Sequence, residues 1–113
     1  MTIYVANAFS LSMLTPPAIV KVTEVTVDDV KRILSSGFVS AVGHEATAKI
    51  ISVQVGVQVP VNRVAIKLTS GDILVVYQLL TRLPEGKVLS EQEMMQVQAK
   101  WYLVTVLTVQ GGE

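Results

Sequence analysis

One histidine, His44, stands in the run Gly43-His44-Glu45, where a helical pattern of Ala46, Ala48, Ile50, Ile51 and Val53 begins. An imidazole at a helix N-terminus can meet a phosphate while the free backbone amides and the helix dipole meet the same anion, which suits phosphoryl chemistry. The same residue equally reads as a surface histidine or as one capping its own helix. Arg82, Glu85 and Lys87 form a second group, in a polar loop over residues 81–87 that follows an apolar strand. A guanidinium there could grip a phosphate through two bonds, or the loop could be a solvated turn with an internal ion pair. Asn62-Arg63 offers another cation, or else merely opens a strand. Asn7, Ser10 and Ser12 punctuate an apolar beginning, able to bond ribose or base edges and equally able to cap a turn. Ser10, His44 and Asp72 are the types of a nucleophilic triad, yet no Gly-x-Ser-x-Gly elbow surrounds either early serine. Walker, Rossmann and zinc-finger patterns are absent.

The composition narrows these readings. A chain of 113 residues, 50% hydrophobic and 16% charged, predicts one domain over residues 1–113 with a compact core. Nine basic and nine acidic side chains cancel, so attraction to duplex nucleic acid or to an anionic membrane is not expected from composition. Without cysteine, and with a single histidine, no thiolate nucleophile, disulfide or two-imidazole metal site can form within one chain. No metal and no cofactor are therefore expected. The opening Met1–Asn7 lacks a basic region and no apolar run approaches membrane-spanning length, so a cytoplasmic, unanchored protein is the expectation. So many valines and leucines on a small neutral domain also favour a homo-oligomer.

The elements that must position these residues follow from periodicity and punctuation. Ile3–Asn7 and Ile19–Val25 read as strands separated by the helix-stopping Pro16-Pro17. Thr26 with Asp29 opens a helix whose apolar face is Val27, Val30, Ile33 and Leu34 and which Gly37 closes; a second runs from His44 to about Gly56. Val64–Leu68 and Ile73–Leu79, joined by Thr69-Ser70-Gly71-Asp72, predict a β-hairpin. Ser90 with Glu93 starts a helix expected to reach about Lys100, and Trp101–Val109 reads as a buried final strand. This order predicts an α/β or α+β fold: a single mixed β-sheet of about five strands flanked by short helices, with no strand order implied.

Four blocks carry a resemblance: Ala6–Leu14, Gly43–Ala48, Asn62-Arg63-Val64 and Arg82–Ser90. Together they resemble the viral anti-CRISPR ring nuclease family, small proteins of archaeal viruses, phages and mobile elements with relatives beside type III CRISPR systems. The resemblance spans nearly the whole chain and implies a homodimer that encloses and degrades cyclic tetra-adenylate, the messenger that switches on type III effector nucleases. It implies His44 as general acid and Arg82 at the scissile phosphate, with Asn7, Ser10, Arg63, Gln78 and Glu85 as ligand contacts. Ser12 departs from the family pattern, where many relatives have asparagine, and Thr81 and Pro84 are milder departures. The chemistry suits the composition, because the ribose 2′-hydroxyl beside each phosphorus supplies the nucleophile. A non-catalytic module that sequesters or senses the nucleotide would use Arg63, Arg82 and Lys87 without His44, and a structural protein of a mobile element would bind no nucleotide.

Overall fold

The structure, a computed structural model, describes residues 1–83 and 88–109. It is an α+β domain built on one mixed sheet of five strands in the order β2-β5-β4-β1-β3. The strands are β1 (Ile3–Ala6), β2 (Ala18–Val25), β3 (Val39–Ser40), β4 (Ile73–Leu79) and β5 (Ala99–Val109). β1 runs parallel to both β3 and β4, whereas β5 is antiparallel to β4 and β2.

Alternation along the central strands divides the core into two layers. Val75 and Tyr77 of β4 and Trp101 of β5 pack with Val30 and Leu34 of helix α1 (Val27–Leu34) and Ile50, Ile51 and Val55 of helix α2 (Glu45–Val55). Met94 of helix α3 (Glu91–Met95) joins the same layer, so all three α-helices cover one face. Leu74 and Val76, Val104 and Val106 point the other way, onto Leu14, Ile66 and Leu68. Among the described residues that face carries a short 3-10 turn, Leu11–Met13, and the extended chain leading to β4. The helices therefore flank the sheet on one side alone.

The helix starts are set as the punctuation implies. Thr26 accepts from the Asp29 amide while Asp29 accepts from the Thr26 amide, and Ser90 and Glu93 repeat the exchange for α3. α2 ends at Gly56, whose φ of 75° is left-handed backbone that glycine adopts without a Cβ penalty.

Two expectations fail. Residues 64–68 form no strand, so no hairpin joins them to β4; β4 pairs with β1 and β5 instead. Ile66 and Leu68 are buried and Val64 and Lys67 exposed, so the alternation arises from one-sided burial of an extended segment that pairs with no strand. The last helix stops at Met95, since Ala99-Lys100-Trp101 already pairs with β4 as strand.

Where β4 begins, one carboxylate closes a corner of the sheet. Buried Asp72 accepts from the Thr2 amide at 3.0 Å and from the Thr69 amide and hydroxyl, each at 2.9 Å. Burial pushes its pKa up, but these bonds outweigh that and hold the carboxyl below its ordinary value. Asp72→Ala should cost about 1–3 kcal/mol in denaturant unfolding, since it strands three donors. A depressed carboxyl pKa stabilises above the unfolded-state value, and that contribution is lost as pH falls through the folded one. Asp72→Asn should consequently lose less stability on acidification than the wild type, and equal pH slopes would contradict this account.

Candidate functional site

The three mutually parallel strands β4, β1 and β3 lie side by side, so the segments leaving their carboxyl ends emerge at one end of the sheet. Asn7 follows β1, Gly43-His44 lies just beyond β3, and Arg82 lies past β4. Asp72 is at the opposite end, committed to Thr2 and Thr69. A Ser10-His44-Asp72 triad is thereby excluded.

β3 is only two residues long, and the chain beyond it is held by hydrogen bonds from a strap, residues 60–68. The Ser40 hydroxyl donates to the Pro60 carbonyl at 2.6 Å and the Asn62 side-chain amide donates to the Ser40 carbonyl at 2.7 Å. The Asn62 backbone amide donates to the Val42 carbonyl at 2.7 Å, beside a parallel bridge between Val42 and Val61. Gly43 is gripped on both sides: its N–H donates to Asn7 Oδ1 at 3.4 Å, and its carbonyl accepts from Arg63 Nε at 2.7 Å. A Cβ added at Gly43 would stand 3.5 Å from Arg63 Cγ, so the arginine stem lies against this glycine.

His44 then caps α2 through its backbone, its carbonyl accepting from the Ala48 amide at 2.9 Å, while its exposed side chain makes no capping bond. The imidazole therefore does not cap its own helix and stands as an exposed surface side chain. Glu45 and Lys49, an exposed pair 3.8 Å apart, follow on the same helix. They line a cavity of about 400 Å3 with Ala46, Ile50, Leu83, Val88, Leu89 and Met94. Leu83 brings the chain next to Arg82 against the first turns of α2. Arg82 itself is exposed, with no hydrogen-bond partner among the described residues.

Other candidates are placed differently. Ser10 accepts from the Ser12 amide at 3.3 Å and shares a hydrogen bond with the Ser12 hydroxyl, capping the 3-10 turn. Exposed Gln78 lies on the helix-free face, beside a shallow hollow of about 210 Å3 formed with Phe9, Val22, Val76, Tyr102 and Val104. Among the described residues no hydrogen bond joins Ser10 or Gln78 to His44. Glu85 and Lys87 lie outside the described residues.

Sequence reasoning missed two supporting sets. Lys67 donates to the Ser12 carbonyl and the Leu68 amide to the Met13 carbonyl, each at 2.7 Å, so the strap also holds the 3-10 turn. Tyr77 donates to Gln54 Oε1 at 3.1 Å, and Gln54 donates in turn to the Met94 and Val97 carbonyls, which locks α3 to α2. Burial pushes the Tyr77 pKa up to about 12, against the opposing effect of the Gln54 bond, so the phenol stays a donor. The Asn62-Arg63 dipeptide was the one visible signal of the strap.

Comparison with known proteins places this arrangement in a lineage. The pattern of the STIV B116-like family matches residues 3–101. Protein 26 of a Sulfolobus islandicus filamentous virus is 40% identical over 92 residues, 80% of this chain and 78% of that protein. ORF117 of Acidianus two-tailed virus is 36% identical over 90 residues, 77% of each chain. The solved structure of B116 from Sulfolobus turreted icosahedral virus superposes with a TM-score of 0.79 at 29% identity, covering 93% of this chain and 99% of that one.

The strap makes a local prediction. Asn62→Ala removes the side-chain donor to Ser40 and should cost about 1 kcal/mol. Hydrogen exchange at the Ala41 and Val42 amides should quicken, and unchanged exchange there would show that the strap does not hold β3.

Proposed function

The chain belongs to the STIV B116-like family, and on that footing we propose that it is a metal-independent ring nuclease. Its substrate is cyclic tetra-adenylate, which it cuts to linear di-adenylate ending in a 2′,3′-cyclic phosphate, thereby silencing type III CRISPR signalling. The observation that carries this reading is His44: an exposed imidazole that makes no capping bond, on a turn anchored from both sides, at the end of the sheet where Arg82 also emerges. The resemblance of the four sequence blocks to ring nucleases supplies the substrate.

The chemistry asks little of the protein. The 2′-hydroxyl attacks its own phosphorus, the new O2′–P bond forms as P–O5′ breaks, and the hydroxyl proton passes to solvent. His44 protonates the departing O5′, and Arg82 stabilises the charge on the phosphorane. No metal enters the step. Two centres related by a two-fold axis would meet opposite phosphates of the ring, which is why the functional unit is proposed to be a homodimer. Exposed Val22, beside the hollow that Gln78 borders, offers apolar surface for such pairing. The site of action is the cytoplasm, where the messenger is made.

Purified protein incubated with cyclic tetra-adenylate in EDTA should yield di-adenylate, resolved by chromatography. His44→Ala should retain binding and lose roughly 10²–10⁴-fold in single-turnover rate. Cleavage by that variant at the wild-type rate would remove the acid assignment, and wild-type binding without cleavage would point to a sequestering module.

Arg82→Ala should weaken both affinity and rate, because a guanidinium on phosphate acts before and during the reaction. Arg82→Lys should recover part of each, lacking the planar fork. A lysine variant equal to wild type in both quantities would argue against a directed contact.

A further inference from the structure

We infer that Arg63 is a positioning residue, which sets His44 by gripping the Gly43 peptide. The inference rests on His44 being the proton donor of the proposed reaction. The carbonyl that Arg63 Nε holds at 2.7 Å belongs to the peptide bond linking Gly43 to His44, so the bond fixes the plane from which the histidine departs. The preceding amide is held by Asn7 Oδ1, leaving that peptide little freedom to rotate. The His44 side chain makes no capping bond of its own that would fix the turn instead. Glycine at position 43 would otherwise be the most permissive residue in the turn. Arg63 is itself located by the strap, through the Asn62 amide on Val42 and the bridge between Val61 and Val42.

The nitrogen used is what makes the inference testable. Glutamine carries an N–H donor at the same distance along the side chain as arginine Nε, but no charge and no outer fork. Methionine keeps the stem against Gly43 without any donor. If Arg63 positions His44, Arg63→Gln should leave the imidazole where the wild type holds it and Arg63→Met should not. An arginine that acts on the ligand alone predicts that neither variant disturbs the imidazole of the free protein.

Because the chain has one histidine, its imidazole C–H resonances report on His44 without assignment and without substrate. In the free protein, Arg63→Met should shift or split those signals while Arg63→Gln leaves them in place. At saturating cyclic tetra-adenylate, single-turnover cleavage should be roughly tenfold slower in Arg63→Met than in Arg63→Gln, since both lack the charge and small displacements of a reacting group cost rate. Imidazole signals in Arg63→Met identical to wild type, or an Arg63→Gln variant as impaired as Arg63→Met, would overturn the inference. If the wild-type protein leaves the ring uncut, the functional reading fails, and the imidazole signals still decide whether Arg63 holds the His44 turn.

Discussion

A strand of two residues at the edge of a sheet cannot secure itself by its own ladder, yet the backbone beyond it has polar groups that must be paired. β3 and the turn after it meet this demand with side chains. Ser40, Asn62, Arg63 and Asn7 supply bonds that a longer strand would have drawn from a neighbour. The start of α2, the direction of His44 and the course of the strap all follow from that solution. A longer β3 would have had ladder partners and left Arg63 nothing to hold at this turn.

The two ends of the sheet are built on opposite terms. At one, Asp72 gathers donors from Thr2 and Thr69, and the Ile73 amide returns a bond to the Thr2 carbonyl, closing the backbone of β1 and β4 together. At the other, the segments following β1, β3 and β4 leave the ladder and present Asn7, His44 and Arg82. Satisfied backbone at the closed end lets the open end carry the exposed side chains of His44 and Arg82. The faces differ likewise, with one under three helices and the other under a turn and a strap.

Much of this was legible because it is local. Thr26 with Asp29 and Ser90 with Glu93 announce helix starts through bonds spanning three residues, and His44 and Gly56 bracket α2 by chemistry visible in the chain. The hairpin was misread for a physical reason: alternation in Val64–Leu68 records which side is buried and carries no information about a hydrogen-bonding partner. The overlong last helix shows the converse, since Ala99 and Trp101 turn inward beside exposed Lys100 once they join β4. Residue types at the site were readable, but the grip on Gly43 was not, because it joins positions 43 and 63 across the outside of a strand. The sheet order was equally hidden, depending as it does on pairings such as Ile3 with Ile73.

The place of β5 has a consequence for how the protein comes into being. It is the fifth strand made, yet it lies between β2 and β4 and, among the described residues, joins β2 to the rest of the sheet. On a ribosome, β2 emerges early and has no partner until β5 has followed it out, so the sheet cannot grow strand by strand as the chain appears. Pairings this distant in sequence slow folding and leave edges unprotected meanwhile. Completion is accordingly a single late event: nascent chains that lack β5 hold an orphaned strand and half a sheet, and the whole domain becomes competent at once when that strand inserts.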